Sequence, residues 1–350
     1  MVRSAESRRV APRVIRVAAS IFCALILLAS TVADAKAPTS AVRCPLNVKL
    51  VPKCGALWGV TPPAATYASL SASQSAADRR FDFVYRFHDI NDEIPDEQDL
   101  EILRSGTLMH IAIDARDYAV PDAKPITWQE ITAGKYDTEL SRQAKGIASI
   151  GEPIFLTFAH EPDLPRKTVL GTANEYVAAW RHVYDLYEAA GATNAIWVWV
   201  VSGGMSSADR ALSMWPGNGY VDWISWEAYS FSGCQSGPAR SDKSQSFADA
   251  MLPFYRYLLE HGESMDIDLR KPIMISEAGI ANVPGDSMPS NWYERIPVVL
   301  SHYPKIKAVG LWDHGDRVAT CSFQFSGVPN RTLDVRRASK QKWVNPLRPE

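Results

Sequence analysis

Cysteine is scarce in this 350-residue chain, five in all. No CxxC pair and no histidine at ligand spacing stands beside them, which argues against a zinc site. The GxSxG elbow of serine hydrolases and the GxxxxGK[ST] phosphate loop are missing as well. The pair His160-Glu161 does not begin an HExxH zinc motif, because Leu164 occupies the second histidine's place between Asp163 and Pro165. A basic excess is also lacking: 37 Lys and Arg face 39 Asp and Glu. Without a cationic footprint, nucleic acid is excluded as a partner. Past Lys36 no run is apolar enough over a sufficient length to span a bilayer. Internal repeats and low-complexity linkers are absent too, so residues 36–350 read as one domain with a substantial core.

What is present at the start is a targeting pattern. Arg3, Arg8, Arg9, Arg13 and Arg16 precede an apolar run from Val17 to Val32, and Ala33-Asp34-Ala35 supplies a small-x-small cleavage site. Residues 1–35 therefore read as a secretory signal cut near Ala35, with an uncleaved anchor as the alternative. Arg8-Arg9 leaves open whether export is twin-arginine or general. Cleavage removes five arginines and two acids from the totals above, giving a mature balance of −5. A secreted, extracellular protein lives in an oxidising setting where disulfides persist. Four cysteines remain, Cys44, Cys54, Cys234 and Cys321, and they allow three pairings; one joins Cys44 to Cys54 and Cys234 to Cys321.

Short apolar runs alternate with helical patterns, the signature of βα units and a parallel sheet. Eight runs are predicted as strands: Ala56–Val60, Phe83–Phe87, Leu108–Ile113, Ile154–Ala159, Ala195–Val200, Val221–Trp226, Pro272–Ser276 and Ile306–Leu311. Eight closes a (β/α)8 TIM barrel, fold class α/β. Helix ends are legible: Thr172 and Glu175 form a capping box, Val177, Trp180, Tyr184 and Tyr187 share a face, and Gly191 stands at the C-terminal stop. Helices are also expected near 136–150 and 247–261. Between strands five and six there is room for one short helix, and beyond Gly327 the chain reads as a tail with a poor eighth helix at best.

The run Pro153–Pro165, PIFLTFAHEPDLP, ends its apolar stretch on His160-Glu161. The seventh strand, PIMIS, ends on Glu277. In a barrel of this kind functional groups stand at the C-terminal strand ends. Alternation puts Phe155, Thr157, Ala159 and Glu161 on one side of strand four, and Ile273, Ile275 and Glu277 on one side of strand seven. Ser225, Glu227 and Tyr229 share a side of strand six. Two carboxylates facing across a cleft suit glycoside cleavage, one protonating the leaving oxygen and the other attacking the anomeric carbon or activating water. The 11 tryptophans include candidates for stacking on sugar faces.

These residues carry a resemblance. The blocks ITAGKYDTELSRQAKGIASIGEPIFLTFAHEPD, NAIWVWV, WPGNGYVDWISWEAY, KPIMISEAG and KAVGLWDHGD resemble, in order, glycoside hydrolase family 26. That is a clan A family of retaining (β/α)8 enzymes that cleave β-mannans, mixed-linkage β-glucans or β-xylans. The resemblance implies Glu161 as acid/base with His160 as its neighbour, and Glu277 as nucleophile. It further implies Tyr229 as the hydrogen-bond donor to the nucleophile and Trp312 as the aromatic floor beside the scissile bond. Four features depart from the mannanase pattern and are expected around the substrate: Thr157, Pro162-Asp163-Leu164, Glu227 and Asp313. His88 and His314, at the mouths of strands two and eight, are candidate contacts to sugar hydroxyls. His182 and His261 are expected on helix surfaces.

The resulting expectation is a secreted, monomeric, retaining endo-β-glycosidase of β-linked polysaccharide, with no cofactor, no metal, and no membrane contact once the signal is cut. The alternative is a non-catalytic glycan-binding protein on the same barrel.

Overall fold

The computed structural model describes residues 44–117, 119–120, 124–231, 234, 245–281, 291–315 and 322–347. The segment read as a signal lies outside them. Eight parallel strands close into a barrel in sequence order. They are β1 (Leu57–Thr61), β2 (Phe83–Asp89), β3 (Leu108–Asp114), β4 (Ile154–Phe158), β5 (Ala195–Val201), β6 (Trp223–Ser230), β7 (Ile273–Ile280) and β8 (Ile306–Trp312). Every predicted run is a strand, with ends displaced by a few residues.

The helices among the described residues are α1 (Tyr67–Ala77), α2 (Glu97–Arg104), α3 (Trp128–Thr132), α4 (Asp137–Ile150), α5 (Ala173–Ala189), α6 (Ala208–Ser213), α7 (Phe247–His261), α8 (Ile296–His302) and α9 (Pro329–Ser339). Their ends follow local chemistry. The Thr172 hydroxyl accepts from the Glu175 N–H and Glu175 accepts from the Thr172 N–H, starting α5. Ser246 and Asp249 do the same for α7. The core face of α5 is Tyr176, Ala179, Trp180, Val183 and Tyr187, with Val177 and Tyr184 only half-buried at its margin.

The helix α9 corrects the expected tail. Its inward face mixes Arg331, Asp334 and Ser339 with only Val335 and Ala338, so an apolar period was too weak to reveal it. Buried Arg331 donates to the carbonyls of Ile280 (2.7 Å) and Ala281 (2.5 Å) at the end of β7. Buried Asp334 accepts from the Tyr293 (2.6 Å) and Glu294 (3.1 Å) N–H groups, and burial lifts its pKa to about 6.

Two apolar clusters share the strands. Ile224, Trp226, Ile273, Ile275 and Ala278 face the helices, whereas Leu57, Phe83, Phe155, Val198, Trp223, Met274 and Ala308 fill the barrel. The Phe155 ring meets Phe83 and Trp223 edge-on at 6.2 and 5.3 Å. Leu46, Leu50 and Val51 cover this interior cluster from the segment that the Cys44–Cys54 disulfide closes. The Trp223 indole donates to the Lys49 carbonyl at 2.8 Å, fixing that cap to the strands. Cys234 is itself disulfide-bonded; its expected partner, Cys321, lies outside the described residues.

The alternation expected for β4 and β7 fails, and in both strands the failure sets the site. β4 ends at Phe158, and both Ala159 and Glu161 adopt left-handed φ, 51° and 48°. Ala159 lies in the helix-facing cluster and not on the barrel axis, although Thr157 is inside. In β7, Ile273 and Ile275 also face the helices. A bulge in the β6–β7 pairing lets Glu277 follow Ile275 opposite Glu227 and Trp226, so Glu277 leaves the set alternation assigned it. β6 does alternate as expected.

Among the described residues no helix is long and apolar enough to cross a membrane.

Candidate active site

The mouth is assembled from four strand ends. After β4 the chain stays tied to both neighbours: Ala159 N–H donates to Ile113 O (2.7 Å) and Glu161 N–H to Val200 O (2.9 Å). These bonds hold the two left-handed residues, a conformation costing about 1–2 kcal/mol each for side chains with a Cβ. Glu161 ends up with 12% of its side chain exposed; its Oε2 lies 3.0 Å from the Arg166 guanidinium and 3.6 Å from His160 Nε2. The other imidazole nitrogen faces Asp114 Oδ1 at 3.5 Å, and the ring packs edge-on to Phe87.

Glu277 comes from the β7 bulge and is almost fully buried. The Tyr229 hydroxyl donates to its Oε2 at 2.5 Å, while Oε1 has no hydrogen-bond partner among the described residues. Glu227 is its register partner on β6, and an oxygen of its carboxylate lies within 4.8 Å of one of Glu277. Three acids thus share one low-dielectric cleft, where like charges raise one another's pKa. For Glu227, burial first and then the charges of Glu161 and Glu277 push the carboxyl well above its ordinary range. For Glu277, burial raises the pKa while nearby His160 opposes it; Glu161 adds to the rise, Tyr229 and Glu227 pull it back, and the outcome is about 7.

Trp312, at the end of β8, half-closes the other side of the mouth. It contacts Tyr229, Phe87 and His314 with ring separations of 6.5, 6.0 and 5.6 Å. Seven other tryptophans, at 58, 128, 180, 197, 199, 223 and 226, are fully buried packing residues.

The structure brings together His160, Glu161, Glu227, Tyr229, Glu277 and Trp312, and leaves one candidate out. His88 lies on the outward face of β2, 3.1 Å from Asp99 and 3.3 Å from Asp92. Burial opposes its charge, but those two carboxylates outweigh burial and raise its pKa to about 9. It belongs to an ion network with Arg86 and Asp96, not to the cleft. Three of the four departures from the mannanase pattern are also structural. Asp313 is buried, accepting from Ser73 Oγ and the N–H groups of Phe325 and Ser326. Thr157 sits below the mouth, bonded to His110 Nε2 and Val198 O. Asp163 ties the β4 loop to Ser202 and Ser207. Glu227 alone joins the carboxylate cluster. His182 is half-buried on α5 against Asp137, and His261 is exposed.

Tyr85, His110 and Arg166 were not foreseen. Tyr85 is buried beneath the acids, stacked on His110 at 3.9 Å, with its hydroxyl lacking a hydrogen-bond partner among the described residues. Burial, followed by the charges of Glu277, Glu227, Asp114 and Glu161, raises its pKa. Parity on β2 would have placed it there. Arg166 lies in a short 3-10 helix, Pro165–Leu170, after β4, too brief to show a period. His160, Glu227 and Glu277 offer ligand atoms within 4.8 Å of one another, as do His88, Asp96 and Asp99, the latter group already holding Arg86.

Fold and site together define a (β/α)8 barrel with a clustered trio of carboxylates and an aromatic wall at its C-terminal mouth. No protein-family model matches the chain. Endoglucanase H of Acetivibrio thermocellus is 25% identical over 276 residues, 76% of this chain; the match spans 28% of that protein's length. Among solved structures, the GH26 β-mannanase BoMan26A of Bacteroides ovatus superposes with a TM-score of 0.62 at 15% identity, covering 84% of this chain and 91% of that one. GH26C from Muricauda sp. MAR_2010_75 gives 0.62 at 14% identity, covering 87% and 92%. At such identities these structures establish a shared barrel fold, and they bear the family name that the sequence blocks pointed to.

Proposed function

We propose that this chain is a secreted glycoside hydrolase that cleaves a β-linked polysaccharide, a β-1,4-mannan, mixed-linkage β-glucan or xylan, internally and with retention. The observation that carries the reading is the asymmetric environment of Glu277. Tyr229 occupies Oε2 and, among the described residues, leaves Oε1 unpartnered, the oxygen that would attack the anomeric carbon. Glu161, less buried than Glu277, protonates the departing glycosidic oxygen and later takes a proton from the water that releases the glycosyl group from Glu277. Burial, and then the charges of Glu161 and Glu277, favour the neutral form of Glu227, which spares the cleft a third charge. The half-buried Trp312 offers a face for the sugar. The endoglucanase and mannanase names of the similar proteins support a β-glycan as substrate.

Glu277→Ala and Glu161→Ala are each expected to lose at least about 10³-fold in kcat, read as new reducing ends on mannan, β-glucan and xylan. Wild-type turnover with the anomeric configuration inverted, followed by NMR, sinks the retaining mechanism. Tight glycan binding without new reducing ends, unchanged in Glu277→Ala, replaces the enzyme by a glycan-binding protein.

A further inference from the structure

A second cavity opens beside Glu161. It encloses about 350 Å³ between the loops that follow β3 and β4, on the side of the mouth remote from β7. Its volume lies within the range of about 300–1,000 Å³ usual for small-molecule sites. Its charge is opposite to that of the protein. Among the described residues Arg116, Arg166 and Lys167 line it against one acid, Asp114, whereas the whole chain carries a net −2. Its apolar wall is formed by Val169, 65% exposed, and Leu170, with the fully buried Trp128 packed behind them. Cations above apolar wall fit a ring that has hydrocarbon faces and an anionic edge.

Arg166 is the connecting element. Its side chain is 68% exposed, yet its guanidinium bonds Glu161 Oε2 at 3.0 Å. A guanidinium fork matches a planar carboxylate bidentately. Held only at one end, it is free to exchange Glu161 for another carboxylate in the same groove. Lys167 is more restrained, donating to the His160 carbonyl and standing 3.9 Å from Asp114.

We propose that this groove binds a uronic-acid residue on the leaving-group side of the glycan, and that its carboxylate draws Arg166 away from Glu161. The groove thereby selects an acidic β-glycan and clears the oxygen that must pass its proton to the departing sugar. This rests on the role of Glu161 proposed above.

The test compares a glucuronate-containing β-glycan with the same polymer after its carboxyl groups are reduced to alcohols, so that only charge differs. Wild-type kcat/KM is expected to favour the acidic form by about tenfold or more, the worth of one charge-assisted hydrogen bond. Arg166→Gln is expected to remove most of that preference and Lys167→Gln part of it, and added salt to weaken it. Equal rates on the two polymers, or a preference that survives both substitutions, overturn the proposal. If neither polymer is cleaved, titration calorimetry of full-length protein with the two corresponding oligosaccharides decides. Tighter binding of the acidic form, lost in Arg166→Gln, upholds the groove while the glycosidase reading falls. Equal or absent binding of both ends the groove as well.

Discussion

Tyr229 and Glu277 form the contact on which the chemistry turns. A hydrogen bond donated to the ionised carboxylate favours that form, so Tyr229 helps hold Glu277 at about 7 against a burial that would push it higher. Glu277 must be ionised to attack, and activity should fall as pH drops below that value. Tyr229→Phe removes the donor, so the acidic limb of kcat/KM is expected to move upward by about one pH unit. A pH–rate profile with an unmoved limb counts against the tyrosine's assigned part. The pairing of these two residues was legible as far as β6 parity went. His88 was misplaced because it was read from its height on β2 alone; the alternation that turns Tyr85 inward turns His88 outward, where Asp92 and Asp99 hold it.

At the scale of elements, the bulge in β7 decides where the second carboxylate points. Its backbone is pressed by β8: a Cβ on Gly310 would stand 2.3 Å from the Ser276 carbonyl oxygen. Gly310 is needed there for close approach, its backbone conformation being ordinary. Gly310→Ala must displace the bulge next to Glu277. Overpacking of this kind costs about 1–3 kcal/mol, and misplacing the nucleophile is expected to lower kcat by about 10²-fold. A normal kcat, or a loss explained wholly by unfolding on a thermal melt, refutes the coupling. α9 reaches the same region through Arg331 and the carbonyls of Ile280 and Ala281. That helix escaped the sequence reading because charged Arg331 and Asp334 interrupt the apolar pattern of its buried face, leaving only Val335 and Ala338.

For the whole molecule, clustering acids in an apolar setting works against stability. Glu277 titrates near 7 when folded and near 4.5 when unfolded. Between those values the folded state binds more protons, so its contribution to stability declines as pH rises from about 4.5 to 7 and is constant above. Glu277→Gln is accordingly expected to melt higher than wild type at pH 8, by up to roughly 3 kcal/mol, with the gap closing at pH 4. A Tm difference independent of pH contradicts this. Stability at the opposite end has another source. The disulfide joining Cys44 and Cys54 closes a short loop over the barrel interior, and such a loop contributes about 3 kcal/mol. Cys54→Ser should lower the Tm while leaving kcat at low temperature near the wild-type value, since this cap is remote from the mouth. By itself the sequence determined the eight strands, their order and a glutamate following each of the apolar runs of strands four and seven, because short apolar runs, capping boxes and terminal glycines are local signals. Which way those glutamates turn was decided only in the tertiary structure. Left-handed residues after β4 and a bulge in β7 obey no period, and they persist because neighbouring strands supply the hydrogen bonds and the close packing that hold them.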